Sequence, residues 1–316
     1  MRDPRRVTGY LVRRLLSALV VITGVAALVF VLIHVVPGDP VEVLVGESVS
    51  AADRDALRRS LGLDAPLGAQ LLGYVRSLVS LDLGTSIHSQ RPVTELLAER
   101  LPATLALAAA ALAVSVTLAL PLGVVAAARH GSRWDLRAMI FALAGSSVPP
   151  FVLGPALVLV FSVGHGWLPV SGREGLASLV LPALTLGMAL AAVLARMTRS
   201  ALLETLAEDY VRTARAKGAD ERTVLLRHAL PNAALPIVTV LGLQLGALLG
   251  GAVITETVFA WPGVGQLTVE AVQRRDYPVV QGCVLLVSVA YVVVNTLTDL
   301  VYAWLDPRIR LGVGAL

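Results

Sequence analysis

Residues 101–128 read LPATLALAAAALAVSVTLALPLGVVAAA and contain no charged side chain. A helix needs about 20 apolar residues to cross the hydrocarbon core of a bilayer, so this stretch predicts a transmembrane helix. The composition of the whole chain agrees, because 56% of its residues are hydrophobic, only 15% are charged and its mean hydropathy is +0.77. A soluble domain has about a quarter of its residues charged, and the sequence therefore indicates a membrane protein.

Five further charge-poor stretches have the length of a membrane span. They run over residues 15–33, 138–164, 175–195, 229–255 and about 277–304. The first follows two arginines, as in a signal peptide, but its apolar core is too long and no A-x-A-like cleavage site follows it. We therefore predict an all-α membrane protein with six transmembrane helices.

The basic residues predict which loops face the cytoplasm. Arginines cluster in the N-terminus, in RHGSRWDLR (129–137), in residues 196–231 and in DPRIR (306–310), whereas residues 37–100 contain nine acidic residues against six arginines. Because cytoplasmic loops are enriched in Lys and Arg, both termini are predicted to be cytoplasmic. The predicted organisation is a cytoplasmic N-terminus (1–14), a first span (15–36), an extracytoplasmic insertion (37–100), a permease-like span domain (101–305) with a cytoplasmic segment (198–231), and a cytoplasmic tail (306–316).

The insertion carries signals of helices. Ser50 and Asp53 fit a capping box ahead of AADRDALRRSLGL, and PLGAQLLGYVRSLVSL repeats apolar residues at a helical spacing. We therefore expect a small helical layer outside the membrane rather than a disordered loop.

Several kinds of chemistry are excluded by what the sequence lacks. The only lysine, Lys217, is followed by Gly218, so the phosphate-binding pattern GxxxxGK[ST] cannot occur, and neither HExxH nor GxSxG is present. The five histidines fall at span ends or in loops, which disfavours an intramembrane protease. Cys283 is the single cysteine and lies in the sixth span, so neither an intramolecular disulfide nor a cysteine-based metal site is possible.

Residues 208–236, EDYVRTARAKGADERTVLLRHALPNAALP, place five basic side chains between two apolar runs. The pattern predicts a helix to about Ala216, a turn over residues 217–220 and a second helix stopped by Pro231. Asp220 is placed to cap the second helix, and residues 224–226 (Val, Leu, Leu) give that helix an apolar side. An ordered hairpin of this kind favours a docking element, and the alternative is a basic loop that only fixes topology.

This segment resembles the cytoplasmic EAA signature of ATP-binding-cassette import permeases, in which an alanine-containing helix precedes a glycine and, some twelve residues later, Leu-Pro. Ala214, Gly218 and Leu230-Pro231 occupy those positions here, whereas Arg212-Thr213-Ala214 stands where EAA would. That departure points to the dipeptide, oligopeptide and nickel branch, whose members read DYVRTARAKG. Other stretches similar to that branch follow in order: PGDP (37–40), GLDAPL (62–67), LDLGTS (81–86), RLPATLAL (100–107), ITETVFAWPGVGQL (254–267), RDYPVVQG (275–282) and DPRIR (306–310).

The resemblance implies a subunit of an importer in a prokaryotic cell membrane. Such permeases pair with a second permease, rest on two ATPase subunits that bind ATP and Mg, and receive substrate from an extracytoplasmic solute-binding protein. The chain itself would be non-catalytic, would form half of a path for di- or oligopeptides, and would hold no cofactor, metal or nucleic acid. The residues implied in coupling to the ATPase are Asp209, Tyr210, Ala214, Arg215, Lys217, Gly218, Ala219, Asp220, Val224, Arg227 and His228.

Three alternatives to a peptide importer stay open. A nickel importer of the same family has a very similar sequence. Internal inverted repeats would favour a secondary transporter driven by an ion gradient, and the sequence shows none between spans one to three and spans four to six. A membrane scaffold without transport is the third alternative.

Polar residues within the spans are candidates for lining the path, because such residues usually face the interior of a bundle. They are Ser146, Ser147, Gln244, Thr255, Asn295 and Asp299. Hydrogen bonding between helices is their alternative role. The tandem prolines of SSVPPF (146–151) predict a kink, and glycines spaced by four in GLQLGALLGG (242–251) predict close helix contact, either with the paired permease or within this chain.

Overall fold

The structure is a computed structural model that describes residues 4–35, 58–59 and 64–305, and within those residues it contains helices and no β-strand. The helices are α1 (Pro4–Val35), α2 (Leu67–Val79), α3 (Val93–Ala128), α4 (Arg133–Ser147), α5 (Pro150–Leu157), α6 (Ala177–Leu206), α7 (Asp209–Ala216), α8 (Glu221–Thr223), α9 (Leu230–Gly251), α10 (Val253–Val258), α11 (Val264–Gln273) and α12 (Tyr277–Leu305). Two π-helical segments, Val158–Gly164 and Val224–Ala229, extend α5 and α8. The predicted all-α fold is confirmed.

Four helical stretches are long and apolar enough to cross a membrane. They are Val93–Ala128, Ala177–Leu206, Glu221–Leu248 and Tyr277–Val301. A fifth candidate is the bent pair formed by α4 and Pro150–Gly164, and the shorter apolar stretch Leu16–Val31 lies within α1. These stretches overlap the charge-poor runs of the sequence, although Glu221–Leu248 begins before the run at 229–255 and ends within it, while the total of six spans stays a prediction.

The bend between α4 and α5 measures 98° and falls at Pro149-Pro150. Pro149 has extended backbone angles and precedes the first residue of α5. Proline lacks an N–H group and clashes with the preceding turn, so a helix entering this pair from Ser147 cannot continue straight. The predicted kink is confirmed.

Two other expectations concern the insertion and the start of the second span. The apolar repeat from Leu67 to Leu78 forms α2, as predicted, whereas the capping box at Ser50 and Asp53 lies outside the described residues.

Helix α3 begins at Val93, eight residues before the charge-free run at Leu101. Its first turns carry Glu95 and Glu99, which bind the Arg91 guanidinium, so the charge-free run marks only the apolar part of a longer helix.

Described residues of the chain group into two compact units. The larger unit contains residues 4–14, 105–261 and 290–305, and the smaller unit contains residues 15–35, 58–59, 64–104 and 262–289. Helix α6 is the most buried of the candidate spans. In its apolar, membrane-length stretch 56% is buried, whereas the corresponding share is 28% in α3 and in α12.

Small residues let the helices of the larger unit approach closely. A side chain at Gly123 would meet Thr198 at 2.6 Å, and one at Gly187 would meet Val114 at the same distance. A Cβ at Gly145 would lie 3.0 Å from the Met188 carbonyl oxygen. Helix α6 thus packs against α3 and α4 at glycine positions, as membrane helices commonly do.

The smaller unit has its own apolar core. Val93 and Leu97 of α3 pack with Val264, Leu267 and the buried Cys283. The Thr104 hydroxyl accepts a hydrogen bond of 2.8 Å from the backbone N–H of Val264 at the start of α11. This contact satisfies one of the amide groups that a helix N-terminus leaves open.

Two loops of the smaller unit are held together by one carboxylate. The Ser86 hydroxyl donates to Asp276 Oδ2 at 2.6 Å, and the Ile87 N–H donates to Oδ1 at 3.2 Å. The ring nitrogen Nε2 of His88 lies 2.8 Å from the Arg274 carbonyl oxygen. We name this set of contacts the Asp276 clamp. It joins two motifs, LDLGTS and RDYPVVQG, that are far apart in the sequence.

Candidate functional site

The segment between α6 and α9 forms two short helices joined by a tight turn. Helix α6 ends at Leu206, the chain extends at Glu208, and α7 begins at Asp209. The sequence predicted one continuous helix up to Ala216, and the break at residues 207–208 was not expected. It separates α7 from the preceding span.

The turn after α7 is built around Gly218. The Ala219 N–H donates to the Ala214 carbonyl at 3.2 Å, and the Gly218 N–H donates to the Arg215 carbonyl at 2.9 Å. This pair of bonds is a Schellman motif, in which the residue after the helix C-cap takes a left-handed conformation. Gly218 has φ of +84°, as that motif requires, and a Cβ added there would meet nothing within 4 Å. The predicted glycine corner is confirmed, and it faces open space.

One hydrogen bond fastens α7 to the helix that follows, and each of the two helices has a buried valine. Val211 and Val224 are both fully buried. The Tyr210 hydroxyl donates a hydrogen bond of 3.2 Å to the His228 carbonyl oxygen. The two helices are therefore held as one element, although Tyr210 itself is 41% exposed.

Charges at the surface of this element are arranged across the turn. The Arg215 guanidinium donates two hydrogen bonds to the Glu221 carboxylate, at 2.8 and 3.2 Å, and these bonds hold the pKa of Arg215 above its usual value. Asp209 forms a longer pair with Arg212 at 3.4 Å. Lys217 and Arg227 are exposed as well, in an element that carries both acidic and basic side chains at its surface.

Asp220 lies at the N-cap position of α8, as predicted, with extended backbone angles. Its carboxylate makes no amide hydrogen bond of capping geometry. The nearby Thr223 hydroxyl nevertheless lowers the pKa of Asp220, with smaller effects from backbone amides. The predicted apolar side of the helix is uneven, because Val224 is buried whereas Leu226 is 57% exposed.

The expectation that Pro231 stops the second helix is wrong. Residues Glu221–Leu248 form one helical stretch, in which the π-helical segment Val224–Ala229 precedes Pro231. Proline removes one backbone donor, and a wider π turn shifts the hydrogen-bond register so that this missing donor no longer breaks the helix. The Asn232 side chain donates to the His228 carbonyl at 2.7 Å and satisfies part of that turn.

The polar residues predicted to line a path fall into two groups. Ser146 and Ser147 are exposed and donate to the Leu143 carbonyl of their own helix. Asn295 donates to the Tyr291 carbonyl at 3.1 Å within α12, and Asp299 lies one turn further along the same helix with its own polar interaction. The side chains of Ser146, Ser147 and Asn295 are therefore satisfied within their own helices.

Gln244 and Thr255 differ, because each carries a buried oxygen without a hydrogen-bond partner. The Gln244 amide donates to the Leu190 carbonyl at 2.8 Å, while its Oε1 atom has no partner. Thr255 is 2% exposed, and its Oγ1 atom likewise has none. A buried polar atom without a partner destabilises the fold, so each such atom requires an explanation.

The glycine stripe of α9 packs inside this chain. A side chain at Gly242 would overlap Thr298, and one at Gly246 would meet the Tyr291 ring at 3.0 Å. Gly250, the third position, is exposed. Of the two roles considered for this stripe, packing within the chain applies at Gly242 and Gly246.

Sequence reasoning did not find an ion pair between α4 and α6. Arg199 donates to both oxygens of Asp135, at 2.7 and 2.8 Å, and the Gly131 N–H donates to Oδ2 at 3.0 Å. The His130 Nδ1 atom lies 3.0 Å from Arg199 Nη2. The sequence offered one signal, namely that Asp135 is a single acid among arginines, but its partner Arg199 lies 64 residues away. Among the described residues, no group of three or more His, Cys, Asp or Glu side chains could hold a metal ion.

Comparisons with known proteins agree along nearly the whole chain. Residues 119–311 match the family described as "Binding-protein-dependent transport system inner membrane component", and residues 7–108 match "Binding-prot-dependent transport system membrane comp, N-term". The chain is 44% identical over 303 residues to the glutathione transport system permease protein GsiC of Escherichia coli O6:H1, covering 96% of this chain and 99% of that protein. It is also 44% identical, over 302 residues with the same coverage, to GsiC of Pectobacterium atrosepticum.

Solved structures show the same fold. The MetNI methionine ABC transporter in inward-facing conformations matches with a TM-score of 0.57 and 21% identity, over 67% of this chain and 96% of that one. An amino acid ABC transporter crystallised with histidines matches with a TM-score of 0.52 and 18% identity, over 67% and 94% of the two chains. The chain therefore belongs to the family of inner-membrane components of binding-protein-dependent transport systems, and it is a permease subunit of an ATP-binding-cassette importer.

Proposed function

We propose that this permease subunit forms half of a path that carries peptides into the cell. In this account it pairs with a second permease, receives substrate from an extracytoplasmic solute-binding protein and is driven by two ATPase subunits. ATP and Mg would bind only on those partner chains, and this chain would be non-catalytic. The identity of 44% to glutathione transport permeases over 96% of the chain supports a peptide substrate, because glutathione is a tripeptide.

The contact with the ATPase is proposed to be the two-helix element over residues 207–231. The observation that carries this proposal is the geometry of Gly218, which turns the chain tightly at a surface position where nothing lies within 4 Å. The hydrogen bond from Tyr210 to His228 ties α7 to the π-helical segment, which continues directly into α9. A push on the turn would therefore be transmitted to a membrane span as a rigid-body movement.

The proposed orientation follows from the positive-inside rule, with residues 37–100 outside and 196–231 inside. Cysteine labelling from each side tests it, after Cys283 has been replaced. A cysteine at Ala216 should react only from the cytoplasmic side, and labelling by an impermeant reagent in intact cells would contradict the orientation.

The six polar span residues remain proposed as lining the path, with Gln244 and Thr255 the better supported of them. Each has a buried oxygen that a water molecule or a substrate group could satisfy. The local hydrogen bonds of Ser146, Ser147 and Asn295 support a structural role equally well.

Uptake by the reconstituted complex tests the substrate. The permease pair, its ATPase subunits and its solute-binding protein would be placed in proteoliposomes and offered labelled glutathione, a dipeptide, a pentapeptide or a nickel chelate. We expect uptake of at least one peptide. That uptake should require ATP and Mg on the side of the membrane where the ATPase subunits are bound. Nickel uptake without peptide uptake would contradict the peptide assignment, and uptake by this chain alone under an ion gradient would contradict the importer mechanism.

A further inference from the structure

The loop and first turn of α4 bring arginines together around a tryptophan. The guanidinium carbon of Arg129 lies 5.1 Å from the centroid of the Trp134 ring, and that of Arg137 lies 5.6 Å from it. Arg133 is exposed on the turn between them. Cation–π attraction of this kind orients guanidinium groups without neutralising their charge.

Among the described residues, these three arginines form no ion pair. Asp135 is the only acidic residue between positions 101 and 173, and both of its oxygens accept hydrogen bonds from Arg199. That ion pair is largely buried, since the Asp135 side chain is only 9% exposed. Within the described part of the chain, Arg129, Arg133 and Arg137 thus lack a carboxylate partner at this end of α4.

An exposed apolar face continues from this cluster along α4. Its side chains are between 50% and 61% exposed, and they are Trp134, Leu136, Ile140, Phe141 and Leu143. The opposite face of the helix, with Ala138, Ala142 and Gly145, is buried within the larger unit. The exposed face thus presents arginines and an indole at its end and hydrocarbon side chains below them.

We propose that Arg129, Arg133, Arg137 and Trp134 bind the headgroup of an anionic phospholipid, whose acyl chains lie along the exposed face of α4. The guanidinium groups donate hydrogen bonds to phosphate oxygens, and the indole takes the interfacial position that tryptophan commonly occupies in membrane proteins. Charge complementarity and the continuous apolar face identify the occupant as a lipid of the surrounding bilayer. This inference needs only the membrane location of the chain, and it does not depend on the transported substrate.

Quenching of tryptophan fluorescence by brominated lipids tests the proposal in the assembled transporter. The complex would be placed in phosphatidylcholine nanodiscs doped with equal fractions of dibrominated phosphatidylglycerol or dibrominated phosphatidylcholine. The signal of Trp134 is the difference between the parent and a Trp134→Phe variant. We expect brominated phosphatidylglycerol to quench Trp134 at least about threefold more than brominated phosphatidylcholine, because each basic residue near an anionic lipid contributes measurable attraction.

Charge-removing variants separate a specific site from a general basic surface. The double variant Arg129→Gln/Arg137→Gln should abolish the preference for phosphatidylglycerol. A matched control, Arg212→Gln/Arg222→Gln, removes the same charge from the two-helix element and should retain that preference. High salt should also weaken the preference in the parent protein, since exposed charges are screened.

Three results would overturn the proposal. The first is equal quenching of parental Trp134 by the two lipids, and the second is a preference that survives either the double variant or high salt. The third is absence of quenching by both lipids, which would mean that a protein subunit covers this surface. The salt titration of the parent keeps the proposal testable if the double variant does not fold.

Discussion

The hydroxyl of Tyr210 donates a hydrogen bond of 3.2 Å to the backbone carbonyl of His228, 18 residues further along the chain. It links the first turn of α7 to the π-helical segment that lies within the helical stretch Glu221–Leu248. An element that touches an ATPase must transmit its movement through contacts of this kind. The relationship therefore connects the proposed docking surface with the membrane part of the protein.

Replacement of Tyr210 with Phe should weaken that link while retaining the ring. A single hydrogen bond of this type contributes about 0.5–1.5 kcal/mol, so we expect a small loss of stability and a partial loss of ATPase stimulation by loaded binding protein. Melting and ATPase measurements on the purified complex check this. Tyr291→Phe provides a control for loss of a hydroxyl elsewhere, and equal stimulation in the Tyr210 variant and the parent would contradict the role given to this bond.

The pair between Asp135 and Arg199 should contribute strongly to packing of α4 on α6. Asp135→Asn leaves Arg199 without a charged partner, and loss of a hydrogen bond to a charged group costs about 1.5–3 kcal/mol. We expect a lower melting temperature for Asp135→Asn and Arg199→Gln alone. The double variant should lose less stability than the summed losses of the two single variants. Additive losses in this double-mutant cycle would mean that the two residues do not interact.

The Asp276 clamp should order the loop at residues 84–92. Asp276→Ala removes acceptors for the Ser86 hydroxyl and the Ile87 N–H together, whereas Ser86→Ala removes one donor. We therefore predict faster proteolysis of this loop in both variants and a larger effect for Asp276→Ala. Cleavage rates of the assembled complex measure this, and parental cleavage of the Asp276 variant would show that the loop is held by other contacts.

A residue larger than glycine at position 242 should destabilise the protein, because its side chain would overlap Thr298. Overpacking of this kind costs about 1–3 kcal/mol. We expect Gly242→Val to lower the melting temperature of the complex and Thr298→Ala to recover part of the loss. Gly250→Val is the matched control on the exposed position of the same stripe. Equal stability of the Gly242 variant and the parent would mean that α9 and α12 do not pack as described.

Local chemistry made the spans and the glycine corner predictable from sequence. Charge-free runs predict spans because their length matches the thickness of the bilayer core. The tandem prolines before Phe151 predict a bend because proline interrupts the helix at its own position in the sequence. Gly218 follows a short helix that ends in basic residues, which is a common signal for a left-handed C-terminal turn. Each of these features depends on residues close in sequence.

Features that depend on distant partners were missed or misread. Pro231 reads as a helix terminator, yet the π-helical segment before it accommodates the missing donor within one long span. Nothing near Asp135 indicates Arg199, and nothing near Ser86 indicates Asp276, because these pairs exist only once the helices have packed. The polar span residues could be named from sequence, whereas only the structure separates the two with unpartnered oxygens from the others.

Substitution of Gly218 tests the coupling account most directly. A non-glycine residue at φ of +84° costs about 1 kcal/mol from the backbone alone, and this cost is similar for Ala and Leu. Apart from the adjacent residues, no described atom lies within 4 Å of a Cβ added at Gly218, so we expect the extra bulk of Leu to act mainly against a partner. Gly172, with φ of +87° and equally open surroundings, provides a matched control in a loop outside the proposed coupling site.

The measurement is stimulation of ATPase activity by loaded solute-binding protein in reconstituted complexes carrying Gly218→Ala, Gly218→Leu or Gly172→Leu. The account predicts that all three variants assemble with similar melting temperatures and that Gly172→Leu is stimulated as the parent is. Stimulation of the Gly218→Leu complex should be at least about tenfold weaker than that of the parent, whereas Gly218→Ala should lose much less. Parental stimulation in an assembled Gly218→Leu complex would contradict the account, because the turn would then touch no partner during transport.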